Sequence, residues 1–165
     1  QHRLQDVGGV KSMTFSPDGK TLLAAGTRPS GGGNVQGIPL IIGFDWESGE
    51  QLFARELGAK AEVYVQDMQF HPAGYLIAVT SGNPGTGQLL FIDLDQSEPI
   101  YKNNTLANCH AISIHPDGKT LAVTATSKGS NGNGRRLDKD GQYVGNSSPV
   151  YLFVPTDPPE TDPTP

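Results

Sequence analysis

The chain has 165 residues, 18% of them charged, and a formal net charge of −5 at pH 7. This negative balance argues against nucleic acid or an anionic membrane as a partner, because both favour a basic protein face. No apolar run approaches about 18 residues, so no membrane-spanning segment is expected. Glycine (21 residues) and proline (13 residues) are abundant. Because no segment keeps a 3.6-residue apolar period either, we expect short strands joined by turns and almost no helix.

The first unit, residues 10–57, contains four predicted strands. Residues 10–15 alternate in polarity and form the first strand, which is followed by the turn Ser16-Pro17-Asp18-Gly19. In such a turn proline presets one backbone angle, aspartate hydrogen-bonds back to the chain, and glycine accepts a left-handed conformation. The remaining strands are predicted at residues 21–25, 40–44 and 51–57.

Two further units repeat this order. The second unit, residues 63–103, has predicted strands at 63–70, 76–80, 89–94 and 99–103. The third unit, residues 111–154, has predicted strands at 111–114, 120–124 and 150–154, and it has no fourth strand. Residues 1–4 precede the first unit and are a possible outer strand that pairs with residues 150–154. Such pairing would cover the edge of the third sheet, because an unpaired edge strand promotes aggregation. The proline-rich residues 155–165 are predicted to be a disordered tail.

Each of the three units contains a version of one sequence motif: FSPDGKTLLAAG from Phe15, FHPAGYLIAVTSG from Phe70 and IHPDGKTLAVTA from Ile114. Self-similarity at a spacing of about 40–55 residues indicates a stacked repeat array. The sequence therefore predicts an all-β fold, a β-propeller segment of three four-stranded antiparallel blades over residues 1–154.

The first unit resembles the WD40-repeat family, in which the third strand ends near a Trp-Asp pair and a Thr/Ser-Gly turn follows. Here the third strand ends in Phe44-Asp45-Trp46, and Ser48-Gly49 follows. The resemblance covers everything except the tail, although Trp46 follows Asp45 instead of preceding it. It implies a scaffold that presents loops to a protein partner.

Three blades are too few for a closed ring, since propellers typically have four to eight blades. We expect the chain to be the C-terminal portion of a longer propeller. The alternative is a six-bladed ring shared by two identical chains.

The connections between the second and third strands differ most among the units, and long loops on a rigid scaffold are the usual place for binding. The longest runs from Ser127 to Pro149 and contains LDKDGQYVG, which predicts a small hairpin with its turn at Lys139-Asp140-Gly141. The candidate contact residues, which combine charge of both signs with an aromatic ring, are Arg135, Arg136, Asp138, Lys139 and Tyr143. The alternative is that this loop is a solvated insertion without a binding role.

Metal and catalytic sites are the less favoured interpretations. The start of the motif at Asp138 and Asp140 resembles a calcium loop, but no bidentate glutamate or flanking helix follows, and a hairpin turn explains the same residues. Carboxylates near the inner strands, with one histidine, are mismatched between units: Asp6, Glu62, Asp67 and His110. The lone thiol, Cys109, is most simply a small half-buried residue.

From these patterns we expect a non-catalytic protein-interaction or scaffolding module without cofactor or metal. Its contact face is formed by the loops between second and third strands. One alternative is a fragment of a propeller hydrolase or lactonase with a divalent metal in the central channel. Another is a purely structural set of blades that completes the propeller of a larger protein. The sequence leaves the compartment open.

Overall fold

The computed structural model describes residues 8–29, 37–58, 62–83, 85–126 and 135–154. The described residues are almost entirely strands and turns, without an α-helix. They accordingly include no helix of the length and apolarity needed to cross a bilayer. Residues 1–4 and the tail 155–165 lie outside the described residues, so both stay predictions.

Sheet 1 is a four-stranded antiparallel meander in the order β1-β2-β3-β4. Its strands are β1 (Gly8–Phe15), β2 (Thr21–Pro29), β3 (Gly37–Asp45) and β4 (Gln51–Glu56). The ladder between β2 and β3 continues to the pair Pro29↔Gly37. Residues 27–29 and 37–39, which the sequence placed in a loop, are therefore strand. Gly37 permits this extension, since a Cβ there would overlap the Thr27 hydroxyl.

Sheet 2 repeats the meander in the order β5-β6-β7-β8. Its strands are β5 (Tyr64–Phe70), β6 (Leu76–Ser81), β7 (Gly87–Ile92) and β8 (Tyr101–Asn103). All six residues of β6 are buried, because sheets lie against both of its faces.

Sheet 3 has three strands in the described residues, in the order β13-β10-β9. These strands are β9 (Ala107–Ile114), β10 (Leu121–Thr126) and β13 (Val150–Phe153). Between β10 and β13 in sequence lie β11 (Arg135–Leu137) and β12 (Tyr143–Asn146), which pair with each other as a separate two-stranded sheet.

The predicted turns have the predicted chemistry. In the first unit the Gly19 amide donates to the Ser16 carbonyl at 2.9 Å, and Gly19 has a φ of 73°. The Asp18 carboxylate accepts hydrogen bonds from the Ser16 hydroxyl at 2.6 Å and from the Lys20 amide at 3.1 Å. These bonds lower the pKa of Asp18, the hydroxyl contributing most. Gly74 and Gly118 end the equivalent turns, also with positive φ.

The core consists of two interfaces between sheets. The first, between sheets 1 and 2, buries a cluster that includes Leu23, Ile41, Met68 and Leu90. The second, between sheets 2 and 3, includes Val79, Leu89, Ile112 and Val123. Sheet 2 is therefore the shared middle layer, and it contributes opposite faces of the same strands to the two clusters.

Arg55 on β4 adds a polar link from sheet 1 to sheet 2. Its guanidinium donates to the Asp93 carbonyl at 3.1 Å and to the Ser97 carbonyl at 2.7 Å. The outer strand of one sheet is thus fixed to the turn that precedes the outer strand of the next.

Candidate functional site

The hairpin β11–β12, residues 135–146, contains all five sequence-predicted contact residues. The backbone pairs are Arg135↔Asn146, Arg136↔Gly145 and Leu137↔Tyr143. Neither strand joins a ladder of sheets 1, 2 or 3. The hairpin is therefore a two-stranded element separate from the three larger sheets, and in sequence it lies between β10 and β13.

Asp138 fixes the turn of this hairpin. Its carboxylate Oδ1 accepts hydrogen bonds from the Asp140 amide at 2.9 Å and the Gln142 amide at 2.8 Å. The Asp138 amide donates to the Gln142 carbonyl at 2.9 Å, and Gly141 takes a φ of 79°. Asp138 thus shapes the turn, whereas the side chains of Lys139 and Asp140 are exposed at its tip.

Three apolar side chains of the hairpin are strongly exposed: Leu137 at 50%, Tyr143 at 56% and Val144 at 55%. Arg136, which pairs with Gly145, is also exposed. Tyrosine and arginine are residue types enriched in interface hot spots, and Leu137 and Val144 add exposed apolar surface on the same hairpin. The sequence predicts Tyr143 and Arg136 as contact residues but not Leu137 and Val144, because their exposure depends on the hairpin forming a sheet of its own.

The loop between β6 and β7 meets the start of the inner strand β9. The Asn108 amide at the start of β9 donates to the Thr86 carbonyl, which lies in the loop between β6 and β7, at 2.7 Å. Gly87 allows this approach, because a Cβ there would lie 2.8 Å from the Asn108 nitrogen. Asn108 itself adopts a positive φ of 48°, a conformation that asparagine tolerates better than most residues.

Asp67, one of the candidate channel carboxylates, connects the inner strands of all three sheets. Its Oδ1 accepts from the Ser12 hydroxyl on β1 at 3.2 Å and from the Met68 amide at 2.8 Å. Its Oδ2 accepts from the Ile112 amide on β9 at 3.0 Å. Gln69 adds a bond from its side-chain amide to the Ile112 carbonyl at 3.0 Å. Asp67 is therefore part of the joint between sheets.

Glu62, the second such carboxylate, is buried at the loop end of sheet 2, with 6% exposure. Its carboxylate accepts from the Thr80 hydroxyl at 3.1 Å and from the Gln88 side-chain amide. The Thr80 hydroxyl in turn accepts from the Gln88 backbone amide at 3.0 Å. These bonds link Glu62 to β6 and β7, so both of its carboxylate oxygens have hydrogen-bond partners within the chain.

The candidate residues do not form a metal site in the described part of the chain. His110 is exposed, and Asp6 lies outside the described residues. Among the residues that the structure describes, no three His, Cys, Asp or Glu side chains are grouped to hold a metal ion.

A hollow lined by His71, Tyr75 and Phe91 has a volume of about 10 Å³, which is room for one water molecule.

Cys109 is fully buried in the cluster between sheets 2 and 3, not half-buried as predicted. Burial, with a smaller contribution from the negative charge of Glu62, raises the pKa of its thiol from 9.0 to about 12. A thiol that stays protonated and inaccessible is a poor nucleophile. Its environment is that of a small core residue.

Solved structures share this arrangement of sheets. Hydrazine synthase from Kuenenia stuttgartiensis aligns with a TM-score of 0.59 and 18% identity, over 87% of this chain and 38% of that chain. A luciferin-regenerating enzyme aligns with a TM-score of 0.54 and 15% identity, over 88% of this chain and 45% of that one. A eukaryotic initiation factor aligns with a TM-score of 0.50 and 13% identity, over 92% and 36%.

The successive antiparallel sheets, stacked face to face through neighbouring inner strands, decide the fold class. The chain has a β-propeller-type fold. It spans less than half the length of the solved chains named above. No protein-family model matches the sequence, and no curated protein matches it. At identities below 20% the structural likeness concerns the fold alone.

Proposed function

We propose that this propeller segment is a non-catalytic protein-interaction module and that hairpin 135–146 is its principal contact element. The observation that carries the proposal is the exposure of Leu137, Tyr143 and Val144 on an ordered hairpin outside the sheets. Exposed apolar groups are costly in water and favourable in a protein interface, and tyrosine and arginine are enriched among the residues that dominate such interfaces.

The turn chemistry supports the same role. Asp138 holds the hairpin in one conformation through two backbone hydrogen bonds. A preorganised contact element loses less conformational entropy on binding than a flexible loop does. The partner is a protein surface with an apolar depression for Tyr143 and acidic or carbonyl oxygens for Arg136.

We further propose that the repeats are of WD40 type. In the first unit, Asp45 caps the turn after the third strand by accepting from the Ser48 amide at 2.8 Å and the Ser48 hydroxyl at 2.7 Å. Trp46 packs edge-on against Phe15, with ring centroids 4.9 Å apart. The Asp-Trp and Ser-Gly residues that suggested the family thus act together at one corner of sheet 1.

The test is partner capture by a triple variant, Arg135→Ala, Arg136→Ala and Tyr143→Ala. A photoreactive phenylalanine analogue at position 144 identifies the wild-type partner first, and binding of the purified partner is then measured for both chains. We expect a loss of affinity of at least about 100-fold, since truncating hot-spot residues costs about 2 kcal/mol or more each. Circular dichroism should show an unchanged fold.

The matched control is Ile100→Ser. Ile100 is 51% exposed and lies next to β8, so its replacement removes a similar apolar surface away from the hairpin. Affinity should stay at the wild-type level in this variant. Equal affinities of the triple variant and the wild type would contradict the proposed contact element.

A further inference from the structure

The outward face of sheet 1 carries large apolar side chains that a neighbouring sheet would bury. Met13 is 65% exposed, Phe15 45% and Trp46 56%. Ile42 on the same side is buried, so the open surface is the region nearest the inner strand and the turn after β3. We call Met13, Phe15 and Trp46 the leading face.

The repeat shows what covers such a face. Met13 pairs with Ala24 and Phe15 with Leu22, whereas in sheet 2 Met68 pairs with Ala78 and Phe70 with Leu76. Met13 and Phe15 therefore occupy the positions of Met68 and Phe70. Met68 is only 2% exposed, because sheet 1 lies against it.

Trp46 extends this equivalence. Phe44 pairs with Leu22 as Ile92 pairs with Leu76. Trp46 and Leu94 each lie two residues after these paired positions, and Leu94 packs against the cluster between sheets 1 and 2. The leading face of sheet 1 is thus equivalent to the face with which sheet 2 packs against sheet 1.

Sheet 3 carries the other half at the opposite end. Val150 is 58% exposed and Leu152 69%, and they pair with Thr124 and Ala122 on β10. In sheet 2 the corresponding positions on β7 are Leu89 and Phe91, which contribute to the cluster with sheet 3. We call Val150, Leu152 and Ala122 the trailing face.

We propose that two copies of this chain associate head to tail, the leading face of each on the trailing face of the other. The contact continues, across two chains, the stacking that joins sheets 1 and 2 and sheets 2 and 3 within one chain. A head-to-tail contact gives a closed ring when its rotation allows. With the three larger sheets described in each chain, we propose that two reciprocal contacts close a ring of six sheets about a two-fold axis. The number lies within the range of closed propellers.

One position in this contact differs from the internal joints. Ser12 accepts from the Met68 amide at 3.3 Å, and Asp67 accepts from the Ile112 amide at 3.0 Å. The equivalent residue of sheet 3 is Ala111, which is exposed and has no side-chain acceptor. The contact between copies therefore lacks one hydrogen bond that both internal joints possess.

Light scattering coupled to gel filtration tests the proposal. The expected mass is twice the 17.5 kDa of one chain. Met13→Lys alone and Leu152→Glu alone should each give monomers, because each places one charge in both contacts of its dimer. An equimolar mixture of the two variants should recover the dimer, since one of its contacts is then fully wild-type and the other pairs lysine with glutamate.

Ile100→Glu is the control, because it adds a charge at an exposed apolar residue outside both faces, and its mass should equal that of the wild type. Ala111→Asp supplies the missing acceptor and should lower the dissociation constant by about tenfold. A wild-type monomer, assemblies that grow beyond two chains, or a mixture that stays monomeric would overturn the proposal. A wild-type monomer is the result expected if further blades of a longer chain, and not a second copy, cover the leading and trailing faces.

Discussion

Single side chains of this protein act mainly by completing hydrogen bonds at fixed points of a repeated backbone. Asp18 caps the first turn and Asp138 the hairpin turn, each through backbone amides. Both roles follow from the short reach of aspartate, which favours bonds to its own next residues. For this reason local turn chemistry could be predicted from the sequence.

Asp67 shows the limit of prediction at this scale. The sequence places a carboxylate on an inner strand, which is compatible with metal binding. Its actual partners, Ser12 and Ile112, come from two other sheets. Since the register between sheets is not encoded in local alternation, the joint could not be predicted.

The pKa of Cys109 gives a prediction about alkaline pH. The folded value of about 12 exceeds the ordinary value of 9.0, so the unfolded chain releases this proton first as the pH rises. The contribution of this thiol to the free energy of unfolding is fully present below pH 9.0. It decreases progressively as the pH rises from 9.0 to about 12. Urea denaturation at pH 8 and pH 10 should show a larger decrease for the wild type than for Cys109→Ala, by about 1 kcal/mol.

The variant is the matched control, because it retains the other alkaline groups, including Tyr75, whose pKa burial also raises. Identical pH dependence of the two chains would contradict the assignment. So would rapid reaction of the native thiol with a disulfide reagent at pH 8.

At the scale of elements, each predicted strand of the three units overlaps an observed strand because alternation and turn chemistry agree, although β9 begins at Ala107, four residues before its predicted start. The largest difference is the β2–β3 hairpin, whose ladder extends to Pro29 and Gly37. The glycines and prolines of this segment predict a loop. In the structure, however, the absence of a side chain at Gly37 allows the backbone to lie close to Thr27 within the ladder. The candidate hairpin 135–146 was predictable from its turn, whereas the exposure of Leu137 and Val144 required the structure.

Replacement of Asp67 tests the joint between inner strands. Asp67→Ala leaves the Ile112 amide without its acceptor and removes the bond from Ser12. We expect the free energy of unfolding to fall by about 2 kcal/mol, as for other partly buried charged hydrogen bonds. Chemical denaturation measures it, and Asp95→Ala, in an exposed turn, should change stability by less than about 0.5 kcal/mol. Equal effects of the two substitutions would contradict a joint at Asp67.

At the scale of the whole molecule, the stability is concentrated in the two interfaces that share sheet 2. Each of its strands β6 and β7 contributes alternate residues to opposite clusters. The hairpin 135–146 lies outside both interfaces, so its surface can change without loss of the core.

Hydrogen exchange resolved by strand tests this account most directly. Because all six residues of β6 are buried between two sheets, its amides should exchange most slowly and only through global unfolding. The outer strand β4, which is mostly exposed, should exchange faster through local opening. If β6 exchanged as fast as β4 in the native protein, sheet 2 would not be the shared middle layer and the account would be wrong.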